Sequence, residues 1–155
     1  MKRMGFSENM WEISEVNKDF KTCATYPQVH IFPSKFKDGI ESTQKLVEDA
    51  AKFRAEGRFP SVVWRHPITG AVLIRSSQPQ SGLFNRRSNA DEDLLKSIAR
   101  AASVTTSPSN GTNGVSDGDI VSDGRLLVMD ARSYKAALGN WMKGGGVENQ
   151  GEYSP

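Results

Sequence analysis

Cys23 is the only thiol in the 155 residues, so any chemistry that runs through sulfur must begin there. A phosphatase with a thiolate nucleophile needs a Cys-x5-Arg loop, whose amides and guanidinium cradle the phosphate while sulfur attacks phosphorus. Six positions after Cys23 stands Val29, not arginine. Cys23 also leads into an extended segment rather than a helix N-terminus, so it reads as a half-buried structural thiol. His30 and His66 are the only histidines and lie 36 residues apart, outside any metal-ligand spacing. His66 precedes Pro67 at the end of an apolar run, a place for a strand cap. Lys143 followed by Gly144, Gly145 and Gly146 has the composition of an anion-binding nest, but a flexible exit from a helix explains it as well. Arg86-Arg87 and Lys2-Arg3 read as solvated surface. Asp91, Glu92 and Asp93 fall in the first turn of a helix, where they complement the backbone dipole. Trp11, Trp64 and Trp141 are too dispersed to form a base-stacking platform. No dinucleotide fingerprint and no Walker loop is present. On this reading no residue is assigned a catalytic, cofactor-binding or metal role, and no cofactor is expected.

The elements that would position such groups can be read from periodicity. Trp11, Ile13 and Val16 could bury one side of a short element, too brief to assign as helix or strand. Val29, Ile31 and Phe32 are β-formers bracketed by Pro27 and Pro33, which bias Tyr26 and Phe32 away from the helical region. Residues 38–56 predict a helix, with Ile40, Leu46, Val47, Ala50 and Phe53 largely on one face. Glu41 and Lys45, and Glu48 and Lys52, have the order that favours surface pairs on such a helix. Residues 61–66 and 71–75 predict a β-hairpin around a Pro67-Ile68-Thr69-Gly70 turn. Asn89 is the expected N-cap of a second helix, with Glu92 in capping-box position and Leu94, Leu95, Ile98, Ala99 and Ala102 as its apolar stripe. Of the 22 residues from 103 to 124, 17 are Ser, Thr, Asn, Gly or Asp, a composition that predicts a disordered insertion. Leu126, Leu127, Val128 and Met129 predict a short buried strand ending at Asp130, and residues 133–141 a last helix. Helices and strands in this order predict an α/β fold, with helices packed on a mixed sheet.

Composition bounds the rest. Twenty basic against 18 acidic residues leave a net charge of +2, which supplies no footprint for nucleic acid. No apolar run is long enough to cross a membrane, and the N-terminus is not followed by a signal-like apolar stretch. With a single cysteine, an internal disulfide and a multi-cysteine zinc site are excluded, and a cytoplasmic location is expected. Without a secretory signal, the Asn110-Gly111-Thr112 triplet is not expected to carry a glycan.

Several blocks of sequence nevertheless act together. Arg3-Met4-Gly5-Phe6, the stretch from Trp11 to Phe20, Cys23-Ala24-Thr25-Tyr26-Pro27, and Phe53-Arg54 followed by Arg58-Phe59-Pro60 come first. Gly70 to Pro79, Asp91 to Leu94, Met129-Asp130-Ala131-Arg132-Ser133-Tyr134, Gly144 to Gly146 and Glu152-Tyr153 follow in order. In this order and spacing, residues 1–155 resemble the N-terminal portion of a myotubularin phosphatase domain. Trp64-Arg65-His66, Ser88 to Glu92 and the low-complexity insertion resemble the branch whose full-length members carry a FYVE zinc finger.

The resemblance implies a cysteine phosphatase-like α/β domain, here truncated. It also implies removal of the 3-phosphate from phosphatidylinositol 3-phosphate and phosphatidylinositol 3,5-bisphosphate, without a metal. In that family a cysteine thiolate attacks phosphorus, an arginine holds the phosphoryl oxygens, and an aspartate of the same loop is the acid. The family's nucleophile motif, His-Cys-Ser-Asp-Gly-Trp-Asp-Arg-Thr, is absent from these residues, and Cys23 falls on a structural position. The chain is therefore expected to be inactive alone. Residues 34–52 run a few positions longer than the family pattern. Arg58, Arg75, Gln78, Asp130 and Arg132 match family positions and read as scaffold. Two readings stay open: a fragment of a phosphoinositide 3-phosphatase, and a non-catalytic isoform or module that binds and modulates a full-length myotubularin. Either would meet phosphoinositide membranes only through the full-length protein, with homo- or hetero-association among myotubularins and peripheral endomembrane contact.

Overall fold

The computed structural model describes residues 4–36, 42–82, 86–103, 125–142 and 144–146. Strand β1, Trp11–Ser14, pairs antiparallel with β2, His30–Pro33, with Trp11 opposite Pro33 and Ser14 opposite His30. The segment too short to assign from sequence thus becomes a strand because β2 supplies its ladder. Helix α1 runs Thr43–Phe53, and the Ser42 hydroxyl caps it by accepting from the Lys45 amide. Leu46, Val47 and Ala50 of the expected stripe are buried; Ile40 and Glu41 lie outside the described residues. On the wet side Lys52 pairs with Asp49 at 2.6 Å, one residue closer than the expected Glu48, whose carboxylate accepts from Gln44.

The hairpin forms as expected: β3, Ser61–Arg65, pairs antiparallel with β4, Val72–Arg75. A bulge between Val62 and Trp64 shifts the register, and Val63, Trp64 and Leu73 are all about half exposed. Helix α2 runs Asn89–Ser103 and packs on α1. Its cap is Ser88, not Asn89: the Ser88 hydroxyl accepts from the Asp91 amide at 3.3 Å. Glu92 therefore falls one position past the capping-box site and binds Arg87 instead. Helix α3, Tyr134–Met142, starts at Ser133, whose hydroxyl accepts from the Ala136 amide.

The α/β architecture is present, and its strands form two antiparallel pairs among the described residues. The core lies between the α1–α2 layer and these pairs. Phe6, Trp11, Val16, Cys23, Phe32, Val47, Phe59, Leu94 and Ile98 form its centre. Trp11 is edge-on to Phe6 at 5.3 Å, and Phe59 contacts Tyr26 in the same way at 5.2 Å. Edge-to-face pairs at these separations add to the area that each ring buries.

Residues 126–129 depart from expectation. They are irregular rather than a buried strand, and Leu127 and Met129 are each 83% exposed. A strand exists only where a neighbour completes its ladder, and no described residue pairs with this run. Of the expected insertion, Ser103 closes α2 and residues 104–124 lie outside the described residues.

Candidate functional site

The region around Cys23 is built by Asn17. This side chain is fully buried, and its amide nitrogen lies 2.8 Å from the Cys23 carbonyl, 3.1 Å from that of Tyr26 and 2.8 Å from that of Pro27. Its amide oxygen accepts from the backbone of Thr22 at 3.1 Å and of Cys23 at 2.8 Å. One asparagine thus folds residues 17–27 into a closed loop and presses Cys23 inward. The Cys23 residue is 2% exposed, more buried than expected. Its Sγ donates to the Glu56 carbonyl at 3.6 Å and lies 3.5 Å from Thr25 Oγ1. Gly57 seals this contact: it has φ +66°, and a Cβ there would stand 2.6 Å from the Thr22 carbonyl oxygen. A nucleophile must present sulfur to a phosphate, whereas this thiol faces a backbone carbonyl in the core.

A buried ion pair lies at the end of α1. Arg54, directly after the helix, meets Asp91 of α2 through Nε–Oδ1 at 2.7 Å and NH2–Oδ2 at 2.5 Å. Both side chains are at most 1% exposed. The guanidinium also donates to the Ser77 carbonyl at 3.0 Å. Asp91, expected as a surface complement to the helix dipole, is therefore half of a buried, two-pronged ion pair. Arg87, expected as solvated surface, binds Glu92 through two bonds of 2.8 Å. The Arg54–Asp91 pairing has no local sequence signature, because the two residues are 37 positions apart and share no motif spacing.

A second cluster ties the last elements to the body. Arg132 holds Asp130 through contacts of 2.5 to 3.1 Å, donates to the Gln78 side-chain oxygen, and reaches the Gly146 carbonyl at 3.1 Å. That arginine holds the Asp130 carboxyl below the usual carboxylate range. The Gly146 amide donates to the Pro79 carbonyl at 2.9 Å, and a Cβ at Gly146 would collide with the Ser81 hydroxyl. Gly146 is thus packed against the loop after β4, neither a flexible exit nor an open nest. Lys143 lies outside the described residues. Of the residues expected as scaffold, Gln78, Asp130 and Arg132 meet in one cluster, while Arg58 binds Glu56 and Thr25 elsewhere.

Both histidines serve the backbone. His30 is buried, with Nδ1 2.8 Å from the Ser61 hydroxyl and Nε2 2.9 Å from the Pro27 carbonyl. A carbonyl only accepts, so Nε2 carries the proton and Nδ1 accepts from Ser61. Burial pushes the imidazole below its ordinary value. His66 Nδ1 accepts from the amides of Ile68 and Thr69, capping the hairpin turn. Trp11 is buried and Trp64 half exposed, so these two do not share a surface. An open cleft of about 510 Å³ between Lys21, Glu48, Lys52 and Glu56 carries mixed charge and converges on no point. Among the described residues no group of three His, Cys, Asp or Glu side chains could hold a metal, and no helix is long and apolar enough to cross a membrane.

Fold and packing define an α/β segment whose one cysteine, Cys23, is buried in the core. The myotubularin-like phosphatase domain family matches residues 1–155. Phosphatidylinositol-3,5-bisphosphate 3-phosphatase MTMR4 of Xenopus laevis is 39% identical over the whole chain, which covers 16% of that protein. Phosphatidylinositol-3,5-bisphosphate 3-phosphatase MTMR3 of Caenorhabditis elegans is 36% identical over 97% of the chain and 13% of its own length. Phosphatidylinositol-3-phosphatase myotubularin-2 of Arabidopsis thaliana is 35% identical over 95% of the chain and 15% of its own length. The chain belongs to the myotubularin family, and it spans about a sixth or less of the length of these relatives.

Proposed function

We propose that these 155 residues form the structural N-terminal portion of a phosphoinositide 3-phosphatase domain and carry no catalytic step themselves. The substrate class is taken from the relatives, two of which are named as phosphatidylinositol-3,5-bisphosphate 3-phosphatases. One observation carries the silence of the chain: its only cysteine is buried on the Glu56 carbonyl, with Val29 where a phosphate-binding arginine would stand. The chain's contribution is then to position other parts of such a domain. Its Arg54–Asp91 pair and Asn17 loop fix the α1–α2 layer and the strand pairs that those parts would meet. Contact with phosphoinositide membranes, in a cytoplasmic setting, belongs to the longer protein.

The test is the accessibility of the thiol. In the folded chain, iodoacetamide should alkylate Cys23 at least about 100-fold more slowly than in urea, since reaction requires opening of the core. Alkylation as fast as in urea, by a chain that still shows cooperative unfolding, would contradict the assignment. The second reading is a module that binds a longer myotubularin without catalysis. It is favoured by the exposed apolar side chains of Leu127 and Met129.

A further inference from the structure

An arginine stands three positions before a serine or threonine at two places in the chain, Arg58 before Ser61 and Arg100 before Ser103. That spacing is a charge pattern by which basophilic protein kinases select an acceptor hydroxyl. The fold separates the two serines. Ser61 lies in β3 and is 5% exposed, with its hydroxyl 2.8 Å from His30 Nδ1. Ser103 is the last residue of α2 and only half-buried, and its hydroxyl donates to the Arg100 carbonyl at 2.8 Å in an exposed bond. Arg100 is itself exposed. The acceptor and the cation that would select it are thus both open to solvent at the end of one helix.

We propose that Ser103 is a phosphorylation site, selected through Arg100, and that its phosphate releases the last turn of α2 from the β3–β4 hairpin. In the transfer, Ser103 Oγ attacks the γ-phosphorus of ATP. The new O–P bond replaces the bond to ADP, and the hydroxyl proton passes to the base of the kinase. The unmodified hydroxyl satisfies one of the carbonyls that a helix end leaves without an amide. A phosphate carries about −1.5 to −2 charges at pH 7 and is chiefly an acceptor, so it loses that bond and meets the negative end of the helix dipole. The turn it acts on holds a contact. Ala101 is 6% exposed in the core. A Cβ on Gly70, in the hairpin turn, would stand 3.2 Å from the Ala102 carbonyl oxygen and 2.9 Å from Arg65 NH2. Arg65 also donates to the Gly5 carbonyl at 2.6 Å. The end of α2, the hairpin turn and the Gly5 segment therefore meet beside Ser103. This site goes beyond the scaffold reading and does not rest on it.

The test incubates the purified chain with ATP and the catalytic subunit of cyclic-AMP-dependent protein kinase, which reads arginine at this spacing. Peptide mass analysis should place phosphate on Ser103. Arg100→Gln removes the charge-assisted contact to the kinase and should slow that incorporation at least about tenfold. Hydrogen exchange at the amides of residues 101–103 should become at least about tenfold faster in the phosphorylated chain, while that at Leu94 and Leu95 stays unchanged. Ser103→Ala removes the hydroxyl without adding charge, so it should speed exchange at these amides less than the phosphate does. Absence of phosphate from Ser103 would overturn the site, as would incorporation indifferent to Arg100→Gln. Phosphate on Ser61 at a comparable rate would overturn the claim that exposure selects Ser103. Slower exchange at 101–103, as expected were the phosphate captured by Arg100 or Arg65, would overturn the release. Cys23 takes no part in these outcomes, so the scaffold reading stands or falls separately by the alkylation rate.

Discussion

The Arg54 guanidinium and the Asp91 carboxylate close on each other through two bonds, of 2.7 and 2.5 Å, in a place that water does not reach. The pair joins the end of α1 to the first turn of α2, and Arg54 extends it to the Ser77 carbonyl. Three segments distant in sequence thus meet at one arginine. Fork geometry suits this position, since guanidinium and carboxylate match edge to edge.

Breaking this pair leaves an uncompensated buried charge. Asp91→Ala is expected to lower the unfolding free energy by about 3–5 kcal/mol in urea titration. The double change Arg54→Met with Asp91→Leu removes both charges and should be the milder variant, by at least about 1 kcal/mol. A double variant worse than Asp91→Ala would show that the arginine's contact with Ser77 dominates.

Asn17 offers a different test, because its amide satisfies donors and acceptors together. Asn17→Asp presents a carboxylate to the carbonyls of Cys23, Tyr26 and Pro27, none of which can donate. Asn17→Leu takes this partner from the Tyr26 carbonyl and from the Thr22 and Cys23 amides, while the Cys23 carbonyl keeps the Tyr26 amide and the Pro27 carbonyl keeps His30 Nε2. At about 1–3 kcal/mol for each buried group left unpaired, either variant should lose at least about 3 kcal/mol, read from the urea midpoint at constant slope.

How far such contacts can be seen in sequence depends on their range. Helices α1 and α2 and the β3–β4 hairpin were legible because 3.6- and 2-residue periods are local properties. The cap of α2 was displaced by one position because Ser88 and Asn89 are both good caps, and only geometry decides which side chain reaches the Asp91 amide. Strand β1 was ambiguous at four residues until β2 paired with it. The run at 126–129 has the chemistry of a strand, but its pairing depends on neighbours that the pattern does not contain. For the candidate site, the lack of a Cys-x5-Arg loop at Cys23 was legible from Val29, but the full burial of the thiol was not. The roles of Asn17, Arg54 and Asp91 were not, since single polar residues carry no period and their partners are fixed by tertiary folding.

Gly57 lies where a side chain has no room. With φ at +66° and the Thr22 carbonyl oxygen 2.6 Å from a notional Cβ, Gly57→Ala combines backbone strain with a clash against main chain. An expected loss of about 2–4 kcal/mol follows from strain and overpacking together. It should appear in thermal unfolding, along with faster alkylation of Cys23, which shares this contact.

His30 gives the fold a pH dependence of definite sign. Burial holds its imidazole below the ordinary value of 6.5, so the folded state favours the neutral ring and the unfolded chain binds the proton more readily. The stability contributed by neutral His30 is therefore complete above the unfolded value and is lost as pH falls from there through the folded value. His30→Gln cannot titrate. Between pH 7.5 and 5.5 the urea midpoint of the unaltered chain should fall further than that of His30→Gln. Equal shifts in the two proteins would remove His30 as the cause.

The most direct measurement of the central claim is phosphate release from vesicles containing phosphatidylinositol 3,5-bisphosphate, the substrate named for the relatives, with the purified chain as the sole protein. A chain whose only thiol is sealed on the Glu56 carbonyl should release no more phosphate than its heat-inactivated control, and Cys23→Ala should behave identically. Release above that control, abolished by Cys23→Ala, would contradict the account.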